Sequence, residues 1–548
     1  MAAANALDQE ESTPATPSGA GIVHLARRVP WWVSVGIIAL ILGFGRSILS
    51  GVGTADEAWF LYVLHRLDLG QVLYRDVWVP VFPLAVWLGQ AFTSVLGNHV
   101  FVLKMVDTVC FTGTAIACVA VARRIAPSRH YEILILAVML GWTGPGVIGP
   151  GSIYTALAYA LTAATLAVVL AWVDSGSDMR TRSIPLLVAA AATAGLAFSA
   201  KQTIGILAVG ALVITIVAIG GLRGFGRAIG LALGAGVLSV LVAVSTMVPA
   251  ALSGGLPAML RDTVSSTGSA SYVSGASVAY LTGLVQFLQQ LLAPISLGWI
   301  GSVTMLGAYI VPIVVVPLFI WALTRDRNAR LWVVGIFCAA ALAGTYPRAD
   351  YPHFIAALPF LLLAGIVGWE VLRQYVTDSV IAVALVLVIV VTGARLTAVV
   401  LAPFSTGSYA LVSSRLANFE GAFLTVDEER AADEAVDTLE SASQKDIFIL
   451  SLRAGLLYLA SGREDPTAYD YPDLYGFGSF EQDDVINAVE DGRIQAIWFD
   501  SHVLEYMGWE DSRIMAYVRH AMRPYGYETP WGQLYLPVQS PTKNPAKK

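Results

Sequence analysis

Residues 31–60 read WWVSVGIIALILGFGRSILSGVGTADEAWF, and this stretch decides the class of fold. From Trp31 to Leu49 the run is apolar, with Arg46 its one charge. About 20 such residues cross the hydrocarbon core of a bilayer. Arg27 and Arg28 precede the run. It is long for a cleavable signal peptide and reads as an uncleaved anchor. The acidic pair Asp56-Glu57 follows after a short Gly-rich link, with Trp59 beside it.

The pattern continues outward from there. The chain has 548 residues, 56% of them hydrophobic and 13% charged, with mean hydropathy +0.67. A soluble globular protein carries about 25% charged residues. Apolar runs of roughly 17 to 25 residues recur as far as Leu401. Beyond Thr425 the composition is that of an ordinary soluble domain, and the formal charge of −6 comes largely from there. Nothing in it suggests a nucleic-acid partner. Residues 1–25, rich in Ala, Ser, Thr, Pro and Gly, read as a disordered tail. Cys110, Cys118 and Cys338 all lie in apolar runs and form no metal-binding or disulfide pattern.

Basic residues orient the spans, because cytoplasmic loops are enriched in Lys and Arg. Clusters stand at Arg27/Arg28, Arg123/Arg124/Arg129, Arg180/Arg182, Arg223/Arg227, Arg325/Arg327/Arg330 and Arg373. One arrangement puts them all inside. Its spans are 31–49, 100–122, 131–149, 152–173, 184–200, 203–220, 229–251, 302–323, 331–346, 354–372 and 379–402. That makes about 11 helices of bilayer-crossing length. The N-terminus is then inside and the C-terminal domain outside. The stretch 80–97 carries Pro80 and Pro83, and counting it as a span would place Arg123 and Arg124 outside. It reads instead as a helix lying at the interface, with a companion over 56–69. A second outer segment, 253–298, becomes amphipathic from Tyr280.

The expected fold class is therefore an α-helical polytopic membrane protein with a small C-terminal α/β domain outside the membrane. The tail covers 1–29, and the transmembrane module covers 30–403 with its outer loop at 50–99. The α/β domain covers 404–548. Its elements alternate: helix 427–439, strand 447–450, helix 453–460, helix 481–489, strand 494–499, helix 511–522 and strand 533–538.

Charged residues near membrane depth are costly, so each is a functional candidate. On the outer face they gather in three segments. The first loop carries Asp56, Glu57, Arg75 and Asp76. Between helices five and six come Lys201 and Gln202. Between helices nine and ten come Tyr346, Arg348, Asp350 and His353. Sugar transfer from a lipid phosphate needs a base for the acceptor hydroxyl. It also needs cations where charge develops on the departing phosphate. Asp56 suits the base; Lys201, Arg348 and His353 suit the phosphate, an arginine being able to bind it bidentately. A single displacement inverts the anomeric centre.

The acidic pair after the first span, the loop with interfacial helices and the Pro-containing segment together resemble the GT-C glycosyltransferases. The pattern is nearest the protein O-mannosyltransferase and aminoarabinose-transferase branch, over about residues 31–402. The resemblance implies a polyprenyl-phosphate-linked sugar donor, Asp56 at the catalytic-acid position and Glu57 as its companion. Val79-Pro80-Val81-Phe82-Pro83-Leu84 matches the branch's Pro-Pro-Leu segment with one proline displaced. The basic residue that accompanies it is absent unless Arg75 replaces it. The implied place is the cytoplasmic membrane, with the active site on its outer face. The acceptor is a glycan, lipid or protein of the cell envelope, and membrane lipid surrounds the helices.

Plainer readings stand beside these. Asp56 and Glu57 suit the first turn of a helix electrostatically, and adjacent helical residues do not face the same way. Arg75-Asp76 reads equally as a local ion pair, and Lys201 as a snorkelling lysine. Arg46, Lys104, Asp107 and Arg395 read as structural pairs in the bundle. The aromatic-acidic loop 469–475 either contacts acceptor glycan or packs. Asp56, Glu57 and Asp350 can offer oxygens to a divalent cation, but no spacing demands one, and no cofactor is implied. A transporter or lipid flippase for envelope precursors is the alternative function. It accounts for the spans but not for charges gathered at one face, and such proteins often show repeated halves. A non-catalytic assembly protein accounts for the outer domain alone.

Overall fold

The computed structural model describes residues 30–145, 153–175, 183–265, 279–326, 328–346, 351–401, 404, 410–470, 479–500 and 512–538. Within the described residues each of the eleven expected spans falls on helix, 146–149, 152 and 402 lying outside them. The first is α1 (Trp31–Leu49), which starts after Pro30. The first loop follows, holding α2 (Asp56–Asp68) and α3 (Leu84–Leu96). The bundle continues with α4 (Val100–Ile125), α5 (Arg129–Val138, running on as a π-helical turn over Met139–Thr143), α6 (Ile153–Asp174) and α7 (Ile184–Ala200). Next come α8 (Gln202–Gly221) and α9 (Gly224–Leu252). They are separated by a break at Gly224, whose φ of +157° and ψ of +90° no helix contains.

After the short α10 (Leu256–Leu260) the chain resumes with α11 (Ala279–Leu291), the amphipathic segment expected from Tyr280 onward. It is followed by α12 (Leu297–Leu306) and α13 (Val311–Arg325), joined by a tight 3₁₀ turn. Then come α14 (Ala329–Ala343), α15 (Tyr351–Leu372) and α16 (Asp378–Leu401). Among the described residues, seven helical stretches are long and apolar enough to cross a membrane, including Gly298–Arg325 and Tyr351–Leu372. The protein is a multi-pass membrane protein.

Packing in lipid relies on small residues that let backbones approach. A β-carbon on Gly195 of α7 would stand 2.3 Å from the Ser239 carbonyl oxygen of α9. Ser239 Oγ donates to the Ala191 carbonyl at 2.9 Å across the same contact. At one end of the bundle the basic clusters meet acids. Arg330 pairs with Asp174 at 2.6 Å, and Arg124 pairs with the same carboxylate. Arg373 pairs with Glu370 at 2.6 Å, and Arg123 with Glu132. Three of the six basic clusters, those of Arg123/Arg124, Arg330 and Arg373, thus lie at the same end.

The C-terminal part opens with a hairpin, β1 (Leu411–Ser413) and β2 (Phe423–Thr425), in antiparallel register. Next is α17 (Val426–Ser441), whose start is fixed by a capping box between Thr425 and Glu428. Then come β3 (Ile447–Leu450), α18 (Ala454–Ser461), α19 (Ser479–Glu490), β4 (Ala496–Phe499), α20 (Arg513–Ala521), β5 (Met522–Thr529) and β6 (Gly532–Pro537). The sheet order is β3-β4-β6-β5. Strands β3 and β4 are parallel, with Ile447 opposite Ala496, and every residue of both is buried. Such continuous apolar strands mark a sheet covered on both faces.

One expectation is corrected here, and one element is added. The helix expected over 511–522 ends at Ala521, and Met522–Thr529 is a strand paired with β6. Six of its eight residues are exposed, so it carries no apolar alternation to read. The β1–β2 hairpin was not anticipated, since its strands are three residues each.

Candidate active site

The first loop sets the site. The Gly-rich link turns at Gly51, where φ is +76°, and delivers Asp56 to the first position of α2. Its neighbour Glu57 points inward and is 3% exposed. The Lys104 ammonium, on α4, lies 3.3 Å from Glu57 Oε1 and also donates to the Gly51 carbonyl at 2.6 Å. Glu57 Oε2 accepts from the Gly53 N–H at 2.9 Å. Successive helical residues are about 100° apart around the axis, so two adjacent carboxylates take different roles. Glu57 anchors the loop to the bundle, and Asp56 remains half-buried at its edge. Lys104 is thereby a structural partner, as the sequence suggested.

The opposite flank of α2 is held by the C-terminal part. Arg66, 3% exposed, faces fully buried Asp470 at 3.3 Å and donates to the Thr467 and Asp76 carbonyls at 2.7 Å each. The Tyr62 hydroxyl accepts from the Asp465 N–H at 2.7 Å, and the Tyr62 ring stacks on Tyr458 with centroids 4.9 Å apart. Burial pushes the Asp470 carboxyl up to about 7 against the pull of Arg66, and raises Asp465 as well. Residues of α2, the first loop, β3 and α18 form one continuous apolar core. Asp470 therefore belongs to a packed loop; 471–475 lie outside the described residues. Arg66 and Asp465 escaped the sequence reading because their partners are about 400 positions away, and no local pattern reports such a pair.

The remaining candidates separate. Lys201, half-buried in the extended link between α7 and α8, donates to Thr155 Oγ1 at 3.0 Å and stands 5.2 Å from the Tyr154 ring centre. Gln202 donates to the Pro80 carbonyl at 3.0 Å and to the Thr263 carbonyl at 3.1 Å. The Pro-containing segment is thus tied beside Lys201, and Phe82 meets Phe198 of α7 edge-on at 5.3 Å. Arg75 forms an exposed ion pair with Asp76 at 2.8 Å. That bond from Arg75 holds the Asp76 carboxyl below its usual range. Tyr346 is exposed, and His353 is half-buried in the first turn of α15. Arg348 and Asp350 lie outside the described residues. Of the three carboxylates considered for a cation, that of Glu57 is engaged by Lys104 and Gly53.

This fold, a bundle of spans with a C-terminal α/β unit seated on the first loop helix, recurs among solved membrane-protein structures. Among solved structures, the chain is similar to ArnT from Cupriavidus metallidurans bound to undecaprenyl phosphate, with TM-score 0.58 and 14% identity over 95% of this chain and 98% of that one. The apo state of the same protein matches with TM-score 0.58 and 14% identity over 92% and 97%. The archaeal oligosaccharyltransferase AglB from Archaeoglobus fulgidus, in complex with an inhibitory peptide and a dolichol-phosphate, matches with TM-score 0.53 and 10% identity over 93% and 74%. No protein-family model matches the chain, and no curated protein matches it by sequence.

Proposed function

We propose that the protein transfers a sugar from a polyprenyl-phosphate donor to a cell-envelope acceptor at the outer face of the cytoplasmic membrane. The observation that carries this reading is the division of labour at the head of α2. Glu57 is buried and bonded to Lys104, whereas Asp56 stands half-buried at the first position of α2, where the first loop delivers it. The fold shared with ArnT and AglB supports the same class of chemistry.

In this reading Asp56 takes the proton from the acceptor hydroxyl as the hydroxyl oxygen attacks the anomeric carbon. The bond to the donor phosphate breaks on the opposite face, and configuration inverts. Lys201, with His353 and Arg348, neutralises the charge that grows on the departing phosphate. Gln202 and the Pro80 segment position Lys201. The α/β domain lies outside the membrane and fixes α2 through Arg66 and Asp470.

The test is sugar release from a panel of radiolabelled polyprenyl-phosphate sugars by purified protein in nanodiscs, with Asp56→Asn as control. Turnover of one donor that disappears in a folded Asp56→Asn variant supports the reading. Failure to bind any donor overturns it in favour of a transporter.

A further inference from the structure

The segment 465–470 is held to α2 and the first loop on one side only. There the Asp465 N–H donates to the Tyr62 hydroxyl, the Thr467 carbonyl accepts from Arg66, and the Ala468 carbonyl accepts from the Trp78 N–H at 3.0 Å. The same segment also lines a groove. Thr467, Ala468 and Tyr469 form one wall; α19 and the turn after it form the other, through Asp484, Asn487 and Arg493. The groove has a volume of about 570 Å³, within the range of small-molecule sites. Arg261, which follows α10, lies within electrostatic reach of Tyr469, so this part of the groove adjoins the membrane module.

Asp484 and Asn487 stand three positions apart on α19, so both project from one flank of the helix, and both are exposed. Asp484 Oδ2 accepts from the Tyr469 hydroxyl at 3.2 Å, which joins the two walls. The Tyr469 ring is half-buried beside them, and Arg493 is exposed. An aromatic ring flanked by a carboxylate, an amide and a guanidinium presents acceptors and donors around a flat apolar platform. A sugar ring has the matching chemistry. Its hydroxyls donate and accept along the rim, and its C–H faces pack on an aromatic ring. Two other ligand classes match less well. The carboxylates of Asp484, Glu490 and Asp491 on the groove wall disfavour a phosphate, since like charges brought together are costly. Among the described residues no three acids, histidines or cysteines come together as the ligands of a metal ion do.

We propose that the groove between Tyr469 and α19 is a binding site for an uncharged oligosaccharide. That this oligosaccharide is a stretch of the acceptor rests on the function proposed above; its binding in the groove does not. The site is built from residues other than Asp56, Lys201 and His353. The wall that the sugar touches is the segment that holds α2 through Tyr62 and Arg66, so occupancy of the groove bears on the helix that carries Asp56.

The experiment is calorimetric titration of full-length protein in nanodiscs with short linear oligosaccharides of mannose, galactose, glucose or arabinose, and with an oligogalacturonate as the charged control. At least one neutral oligomer is expected to bind, and the oligogalacturonate to fail. Asp484→Ala is expected to weaken that binding about tenfold, as loss of a hydrogen bond to a charged group does, and Asn487→Ala several-fold. Tyr469→Leu removes the ring and is expected to weaken binding at least as much as Asn487→Ala. Tyr469→Phe keeps the ring and is expected to keep most of the affinity. Melting curves of the variants check that each is folded. No binding of any neutral oligomer, or undiminished binding in folded Asp484→Ala and Tyr469→Leu, overturns the site. Equal binding of the oligogalacturonate overturns its preference for uncharged sugars. If Asp56→Asn abolishes donor turnover while the groove binds nothing, the proposed function stands and the groove falls. If the groove binds sugar and no donor is turned over, the groove stands and the proposed function falls.

Discussion

Gly455 of α18 lies so close to Trp59 of α2 that a β-carbon on it would stand 2.5 Å from the Trp59 Cα and 2.6 Å from its amide nitrogen. Backbone cannot retreat as a side chain can. Gly455→Ala is therefore expected to cost about 1–3 kcal/mol, the usual toll of overpacking a filled core. The melting curve of the purified protein checks this, and faster proteolytic release of the C-terminal part is expected with it.

Glu57 and Asp56 are neighbours with different work, and single substitutions separate them. Glu57→Gln is expected to lower the unfolding midpoint while a measurable fraction of turnover survives. Asp56→Asn is expected to keep the midpoint and lose about 10²- to 10⁴-fold in turnover, the range for a general base. Equal losses of turnover with both midpoints unchanged would contradict the assignment.

Lys104→Met leaves the Glu57 carboxylate buried without its cation. Breaking a buried pair from one side costs about 3–5 kcal/mol. The double variant Lys104→Met/Glu57→Gln removes both charges and is expected to recover more than half of that loss. A double-mutant cycle on unfolding free energy measures the coupling.

Asp470 gives the docking of α2 a pH dependence. Its carboxyl is raised to about 7 in the folded protein from an ordinary value of 3.8. The folded state thus binds the proton more tightly than the unfolded chain does. This contribution to stability is complete below about pH 4 and is lost as pH rises towards about 7. Midpoints of wild type and Asp470→Asn measured between pH 4 and 8 are expected to differ in slope, with the variant the flatter.

Arg75→Ala removes an exposed ion pair. Its unfolding midpoint is expected to stay within the scatter of the wild-type measurement. A midpoint shift beyond that range would show that the pair does more than decorate the loop.

What the sequence made legible follows from where the signals are local. Apolar runs set by bilayer thickness placed the spans from Trp31 to Leu401, and β3 was found at its true bounds because Ile447–Leu450 is a continuous apolar run. The same logic placed Asp56 after the first span and set Glu57 apart from it. The break at Gly224 and the pairing of Arg66 with Asp470 were not legible. Each depends on a partner brought from far along the chain or on a backbone angle that a glycine permits without announcing. Strand β5 was hidden for a different reason: both its faces are wet, so no burial pattern marks it.

The seat of α2 has a consequence for biosynthesis. Trp59 and Arg66 are synthesised early, whereas Gly455, Thr467 and Asp470 arrive about 400 residues later, after every span has been made. At a translation rate of about 5–20 residues per second, the loop waits tens of seconds for its support. A nascent or truncated chain can thus fill the membrane with nearly all its helices and still hold Asp56 on an unfinished scaffold. Under the proposed function, competence requires residues 455–470 to be in place, so copies that stop short of them are expected to stay silent in the bilayer.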